Sequence, residues 1–272
     1  MSDRHPYQLV ATDLDGTLLL DDLTVSGRTR QVLADLASQG VVHLVVTGRP
    51  ASGCQEIFTA MGYRALAVCG QGAQLYDAGS GELIETRDVD LGLARSAVEM
   101  LSEKLPEASF AVLTSGLDGR LVVGNGFGYP SEMDGYPRYP LIGLWGRPIE
   151  RVLVRHGGLP DDELAAVVAG VCAGQLDVLL SAPGQVELVP CGIDKGIGLA
   201  RAAAILGVDP VRTVAFGDMP NDIPMLRWSG YGVAMGNAHP DLVAVAAEVA
   251  PSNADDGVAR VLERIFHLGS RP

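Results

Sequence analysis

Aromatic residues are scarce in this chain, 5% of 272 positions, and basic residues are outnumbered, 20 Lys and Arg against 33 Asp and Glu for a formal net charge of −13. Nucleic-acid binding rests on clustered Lys and Arg, so this acidity argues against such a partner. No apolar run reaches the roughly 20 residues that a membrane-spanning helix needs, and the opening MSDRHPYQ lacks the apolar stretch of a leader peptide. The four cysteines, Cys54, Cys69, Cys172 and Cys191, include no CxxC pair, which indicates neither a zinc site nor a disulfide framework. Cys69 and Cys191 are expected to be buried structural thiols. The setting these absences suggest is the cytoplasm, with no nucleic-acid and no membrane partner. Hydrophobic residues make up 47% of the chain, ample for one large core or two smaller ones.

What is present is concentrated in four short segments. Residues 8–18, QLVATDLDGTL, read as a buried strand that delivers Asp13 and Asp15 onto a turn set by Gly16. Side chains alternate along a strand, so the two carboxylates are expected to point the same way into one small volume, where they repel unless a cation sits between them. A calcium loop also opens on Asp-x-Asp, but it needs an oxygen ligand at its fifth position and Gly at its sixth. Counting from Asp13, those positions hold Thr17 and Leu18, and the calcium reading fails.

Three further segments stand at the ends of apolar runs or the start of a helix. HLVV is followed by Thr47, Gly48 and Arg49; VRTVAF is followed by GDMPND, residues 217–222; and Lys195 opens KGIGLARAAAIL. Each has an ordinary reading, as a turn, a helix start or a solvated lysine. In an open parallel sheet, however, the carboxyl ends of the strands share one edge, and ligands bind there.

In this order DLDGT, TGR, a lone Lys before a helix and GDMPND resemble the four motifs of the haloacid dehalogenase (HAD) superfamily of phosphatases. NDIPML, YGVAMGNAHPDL and DDGVARVLE sharpen the likeness to its Cof-type branch, subclass IIB. The resemblance spans roughly residues 7–80 and 186–267. It implies a Mg²⁺-dependent hydrolase of small phosphate monoesters, sugar phosphates or related metabolites. Asp13 is then the nucleophile that forms an aspartyl-phosphate, and Asp15 the acid that protonates the leaving alcohol and later the base toward water. Asp13, Asp218 and, through its backbone carbonyl, Asp15 would hold the metal, a hard cation that prefers oxygen. Leu14, Thr47, Gly48, Lys195 and Asn221 would bind phosphate, with Asp222 orienting Lys195 or a metal-bound water. Acidity is no obstacle to an anionic substrate when Mg²⁺, Lys195 and helix termini supply positive charge locally.

The ends of the chain alternate strand and helix signals: strand 8–13, helix 27–39, strand 42–46, helix 52–62, strand 65–69, then helix 195–206 and strand 211–216. Alternation predicts an α/β doubly wound parallel sheet, a HAD-like core formed by residues 1–83 and 188–272. Between them, residues 84–187 read as an α+β insert, with helices at 91–104 and 161–173 and strands at 109–114, 120–123, 176–182 and 185–189. By resemblance it is a C2-type cap that selects the substrate. Within it, GNGFGYPSEMDGYPRYPLIGLW gathers five of the chain's fourteen aromatics, Phe127, Tyr129, Tyr136, Tyr139 and Trp145, with Arg138 and Arg147. Arg49, Arg138, Tyr136 and Tyr139 are candidates for contacting the substrate, although anchoring of a long loop is the better reading of the aromatics.

One departure from the family pattern is Gln71-Gly72-Ala73 where many relatives have Asn-Gly-Ala. It bears on substrate positioning or hinge geometry. A phosphomutase of the phosphomannomutase type and a non-catalytic phospho-metabolite-binding protein are the alternative functions. The intact Asp13 and Asp15 weigh against the second. A monomer or homodimer is expected.

Overall fold

The computed structural model describes residues 6–128, 137–182 and 184–268. Contacts divide the chain into two compact units, Met1–Ile84 with Asp194–Pro272, and Glu85–Ile193.

The first unit begins with β1 (Leu9–Thr12), whose four residues are all buried. A run without alternation is what a strand covered on both faces requires. It continues through α1 (Gly27–Ser38), β2 (Val42–Val46), α2 (Ala51–Met61), β3 (Leu66–Cys69), β4 (Gln74–Asp77) and β5 (Glu82–Thr86). Ser26 caps α1 by accepting from the Thr29 N–H, and α2 stops at Gly62, where φ is +68°. Both are ordinary helix punctuation.

The second unit follows, with α3 (Leu91–Lys104), β6 (Ala108–Thr114), β7 (Leu121–Gly124), β8 (Arg138–Tyr139), β9 (Ile149–His156), α4 (Asp161–Cys172), β10 (Leu176–Ala182) and β11 (Gln185–Pro190). The chain then returns to the first unit with α5 (Lys195–Leu206), β12 (Thr213–Gly217), α6 (Ile223–Trp228), β13 (Tyr231–Ala234), α7 (Pro240–Val243), β14 (Glu248–Val249) and α8 (Gly257–Ile265).

The sheet of the first unit runs β14-β13-β12-β1-β2-β3-β4-β5. Its first six strands are mutually parallel and β4 is antiparallel to β3. The antiparallel end was not anticipated from the sequence, where the strand pattern was followed only to Cys69. Leu9, Ala11, Leu44, Val46, Val68 and Ala215 pack on one face against Leu199, Ala202 and Ala203 of α5 and Met225 and Leu226 of α6. On the other side α1 lies against β2 and packs with α8. Starting in the middle, the chain winds outward to β3 and later, after the second unit, outward from β12 to β14. The order therefore reverses beside β1, and the crevice at a doubly wound sheet's ligand-binding edge opens at such a reversal.

In the second unit the sheet runs β10-β11-β9-β6-β7-β8, antiparallel except for the β7–β8 pair. Phe110, Val112, Val152, Val154, Val186 and Leu188 pack with Ala94, Val98 and Leu101 of α3 and Leu164 and Val168 of α4, so both helices cover one face. The central strand β9 was missed by pattern. Its first residues include Glu150 and Arg151, which read as polar surface, yet Arg151 is buried between Glu150 and Glu187. Charges enter a core strand only when neutralised in place.

The turn between β3 and β4 is pressed against the start of α5. Gly72 has φ +102°, and a Cβ there would lie 2.1 Å from the Asp194 carbonyl oxygen. Gly72→Ala is therefore expected to destabilise the fold by more than about 1 kcal/mol, seen as a lower urea midpoint at unchanged m-value.

Candidate active site

β1 ends at Thr12, one residue earlier than the sequence pattern suggests. The chain then turns through Asp13 (φ −64°, ψ 168°), Asp15 (φ −71°, ψ 129°) and Gly16 (φ +70°). The regular strand does not carry to Asp15, so the two carboxylates differ in their surroundings. Asp13 is buried, whereas Asp15 is exposed and held by a two-pronged pair from Arg49, Nε to Oδ2 at 2.7 Å and an Nη to Oδ1 at 2.6 Å. The Asp13 N–H donates to the Phe216 carbonyl on β12, which fixes the turn to the neighbouring strand.

Lys195 is the first residue of α5, whose cap is the Asp194 carboxylate accepting from the Ile197 N–H. It is 2% exposed, so the solvated-lysine reading is excluded. Its ammonium lies 2.9 Å from Asp13 Oδ1 and 2.6 Å from Asp222 Oδ1. The Asp222 Oδ2 also accepts from the Asp218 and Met219 N–H groups, so both of its oxygens are engaged. Asp218 follows the end of β12, and its Oδ1 accepts from the Thr17 hydroxyl at 3.0 Å. The close fit of Gly16 makes room for this pair: a Cβ there would stand 2.3 Å from Asp218 Oδ2.

Thr47 ends the β2 segment and is buried. Its hydroxyl oxygen accepts from the Arg49 N–H, which leaves the hydroxyl proton to donate elsewhere. Gly48 has no room for a side chain, since a Cβ would meet the Gln71 carboxamide at 2.7 Å. Asn221 donates from Nδ2 to Gln71 Oε1 at 2.9 Å, and its own Oδ1 is buried with no hydrogen-bond partner among the described residues. The Leu14 side chain is fully buried, which leaves only its backbone for any ligand.

The proposed chemistry-bearing residues of the first unit thus share the carboxyl edge beside β1. Arg138 and Tyr139 form the exposed strand β8 of the second unit. Tyr129 and Tyr136 lie outside the described residues. Phe127 is buried with Ala111, Val123 and Leu153, with the Arg155 guanidinium over its ring, and Arg147 pairs with Asp118. For Phe127 the anchoring role is the observed one. Cys69 is buried as expected, but Cys191 is exposed, because it sits in the turn after β11 and not within a strand.

Several contacts were not read from the sequence: Thr17 on Asp218, Arg49 on Asp15, and Asn237, whose Nδ2 donates to the Gly16 carbonyl. Asn253 extends the last by donating from its backbone N–H to Asn237 Oδ1 and from its side chain to the Leu19 carbonyl.

Electrostatically the cluster is unbalanced. Burial alone would depress the Lys195 ammonium, but Asp13 and Asp222 more than offset this and keep it charged. One ammonium cannot neutralise three carboxylates, so burial, with repulsion from Asp222 and Asp218, holds Asp13 well above the usual carboxylate range. Burial and Asp222 push Asp218 up to about 6. Carboxylate oxygens of Asp13, Asp218 and Asp222 lie within 4.8 Å of one another and can hold a metal ion. Because both Asp222 oxygens are already engaged, Asp13 and Asp218 are the natural carboxylate donors. The surplus negative charge and the oxygen-only donor set fit a hard divalent cation.

Comparison with known proteins agrees with this geometry. A family model described as haloacid dehalogenase-like hydrolase matches residues 10–135 and 143–262. The chain belongs to the haloacid dehalogenase-like hydrolase family. It is 29% identical to a 5-amino-6-(5-phospho-D-ribitylamino)uracil phosphatase of Bacillus subtilis, over 98% of this chain and 100% of that one. It is 31% identical to an HMP-PP phosphatase of Serratia proteamaculans, over 87% and 86%. In fold it resembles a HAD subclass IIB sugar phosphatase, with TM-score 0.80 at 19% identity, covering 96% and 99% of the two chains. A HAD phosphatase from Bacteroides thetaiotaomicron gives 0.81 at 23%, covering 98% and 97%. The resemblance of the four motifs to the HAD family is thus matched by a family model over most of the chain.

The raised Asp218 carboxyl sets a sign. Its proton is held more tightly folded than unfolded, so its contribution to stability is present below about pH 4 and is lost as pH rises through about 6. In chelator, Asp218→Asn is expected to raise the melting temperature at pH 8 by a few degrees, equivalent to about 1 kcal/mol, with the gain vanishing near pH 4. A pH-independent gain, measured by calorimetry, would contradict the assignment.

Proposed function

We propose that this protein is a Mg²⁺-dependent phosphatase that hydrolyses small phosphate monoesters by way of an aspartyl-phosphate on Asp13. The observation that carries the reading is the buried Lys195 ammonium bridging Asp13 and Asp222, with Asp218 alongside, at the carboxyl edge where the sheet order reverses. Related proteins named for phosphatase activity on phosphorylated metabolites support the substrate class. The fold likeness to a sugar phosphatase makes sugar phosphates the first compounds to test.

Mg²⁺ would be held by Asp13, Asp218 and the Asp15 backbone carbonyl, and when bound supplies charge neutralisation between an anionic nucleophile and an anionic phosphoryl group. Asp13 attacks phosphorus, the bond to the leaving alcohol breaks, and Asp15 gives that oxygen its proton. Water then attacks phosphorus, Asp15 takes the proton, and inorganic phosphate departs with Asp13 restored. Thr47, Gly48, Lys195, Asn221 and the Leu14 backbone hold the phosphoryl oxygens. Lys195 stays in position because Asp222, pinned by two backbone N–H groups, does not move. We read the inserted unit as a C2-type cap that selects among leaving groups.

The test is phosphate release from a panel of sugar phosphates, nucleotides and cofactor phosphates, with Mg²⁺ and with chelator. Asp13→Asn is expected to lose activity by on the order of 10³-fold or more while keeping the folded circular-dichroism spectrum. Retained turnover would falsify the nucleophile assignment. Asp15→Asn is expected to slow both formation and breakdown of the phospho-enzyme, by roughly 10²- to 10⁴-fold for an unactivated alcohol leaving group. Rapid-quench trapping that showed the intermediate forming at the wild-type rate would remove Asp15 from the acid role.

A further inference from the structure

Gln71 is 1% exposed yet lies among the groups assigned to phosphate. Its backbone is held in the left-handed region, φ +59°, where Asn is far commoner than Gln. A residue that strains the backbone and hides its amide from solvent invites a reason. Its N–H donates to the Thr47 carbonyl, and the preceding Gly70 N–H donates to the Arg49 carbonyl, so the turn is tied to the Thr47–Arg49 loop. The following Gly72 abuts Asp194, at the start of the helix that carries Lys195. The Gln71 carboxamide itself covers Gly48, and its Oε1 accepts from Asn221 Nδ2 at 2.9 Å, across 150 residues of sequence. The other end of the Asn221 amide is buried and unpartnered among the described residues. Phosphoryl oxygens accept hydrogen bonds and do not donate them, so what the Gln71 bond leaves Asn221 to offer an anion is its second Nδ2 proton.

We propose that Gln71 is a positioning residue for phosphate, which acts through Asn221: its amide spans Gly48 and Asn221 and fixes the direction in which Asn221 meets the phosphoryl group. The Gln71 Oε1 is committed to Asn221, so Gln71 acts on the ligand through that residue. Asn at this position would sit more easily in the backbone but is one methylene shorter and does not reach Asn221. The longer residue gives up backbone ease for that span. This inference rests on the phosphatase reading above and concerns the same site.

The experiment measures inorganic phosphate affinity in Mg²⁺ by calorimetry, together with kcat and KM for p-nitrophenyl phosphate and the melting temperature. Gln71→Asn is expected to weaken phosphate binding about five- to tenfold and raise KM in step, with kcat less affected and no comparable loss of melting temperature. Gln71→Met, of similar length but unable to accept a hydrogen bond, is expected to weaken phosphate to the same extent. In an Asn221→Ala background, Gln71→Asn is expected to change phosphate affinity by less than about twofold. Wild-type affinity in Gln71→Met shows that only packing over Gly48 matters and overturns the proposal. So does an undiminished effect of Gln71→Asn in the Asn221→Ala background. A wild-type protein that neither binds phosphate nor releases it overturns the phosphatase reading itself, a result distinct from normal wild-type binding that Gln71→Asn leaves unchanged.

Discussion

A single ammonium among three carboxylates, out of reach of water, is the constraint on which the first unit is built. Moving Lys195 into the interior carries a desolvation cost of several kcal/mol that only well-placed counter-charges offset. Asp13 and Asp222 supply them at 2.9 and 2.6 Å. The glycines of α5 follow from the same need: the helix must come close enough for its first residue to reach Asp13. A Cβ at Gly196 would meet the Pro224 backbone at 2.6 Å, and one at Gly198 would meet Val68 and Gly72. The cluster keeps a net negative charge even so, and the raised Asp218 carboxyl records that imbalance. A site that is electrostatically unfinished by itself is suited to recruit a cation.

Sheet order then explains how segments far apart in sequence share this charge balance. The chain enters at β1, winds outward through β2 and β3, and begins again at β12 on the opposite side of β1. Asp13, Thr47 and Asp218 each follow the carboxyl end of a parallel strand, on adjacent or next-adjacent ladders. The second unit is inserted between β5 and α5, where no parallel ladder of the first unit is interrupted. Lys195 stands almost immediately after the chain returns, so the insertion leaves the site's backbone intact.

Legibility in the sequence divided along the range of the interaction. Locally determined elements were readable: α3 and α5 end where their periodicity and caps place them, at 91–104 and 195–206. The nonlocal ones were not. Strand β9 was hidden because Glu150 and Arg151 look like solvent-facing residues until Glu187, 36 positions away, is seen to complete the ion pair. Arg49 grips Asp15 across 34 residues and Asn221 meets Gln71 across 150, and no periodicity encodes either. Strand alternation stops short of Asp15 for a local reason, since Gly16 and the turn before it take the chain out of the strand. The residues that gather at the carboxyl edge beside β1 were nonetheless legible, because they stand in short runs of unusual residue types at strand ends.

The unequal surroundings of those two aspartates suit unequal tasks. Asp13 is enclosed, tied through its N–H to β12 and through its carboxylate to Lys195, a fixed group of the kind that in-line attack on phosphorus demands. Asp15 is exposed, and both its oxygens are engaged by the Arg49 guanidinium. A proton donated from either oxygen in the proposed acid step would therefore come from a group that Arg49 already engages. Arg49 is itself tied to Thr47 through its backbone N–H, and its carbonyl to the turn that carries Gln71. An anion seated on Thr47 and Gly48 therefore meets the loop that also holds the acid. The Thr47–Arg49 loop thus touches both Asp15 and the turn that carries Gln71 through a few short contacts.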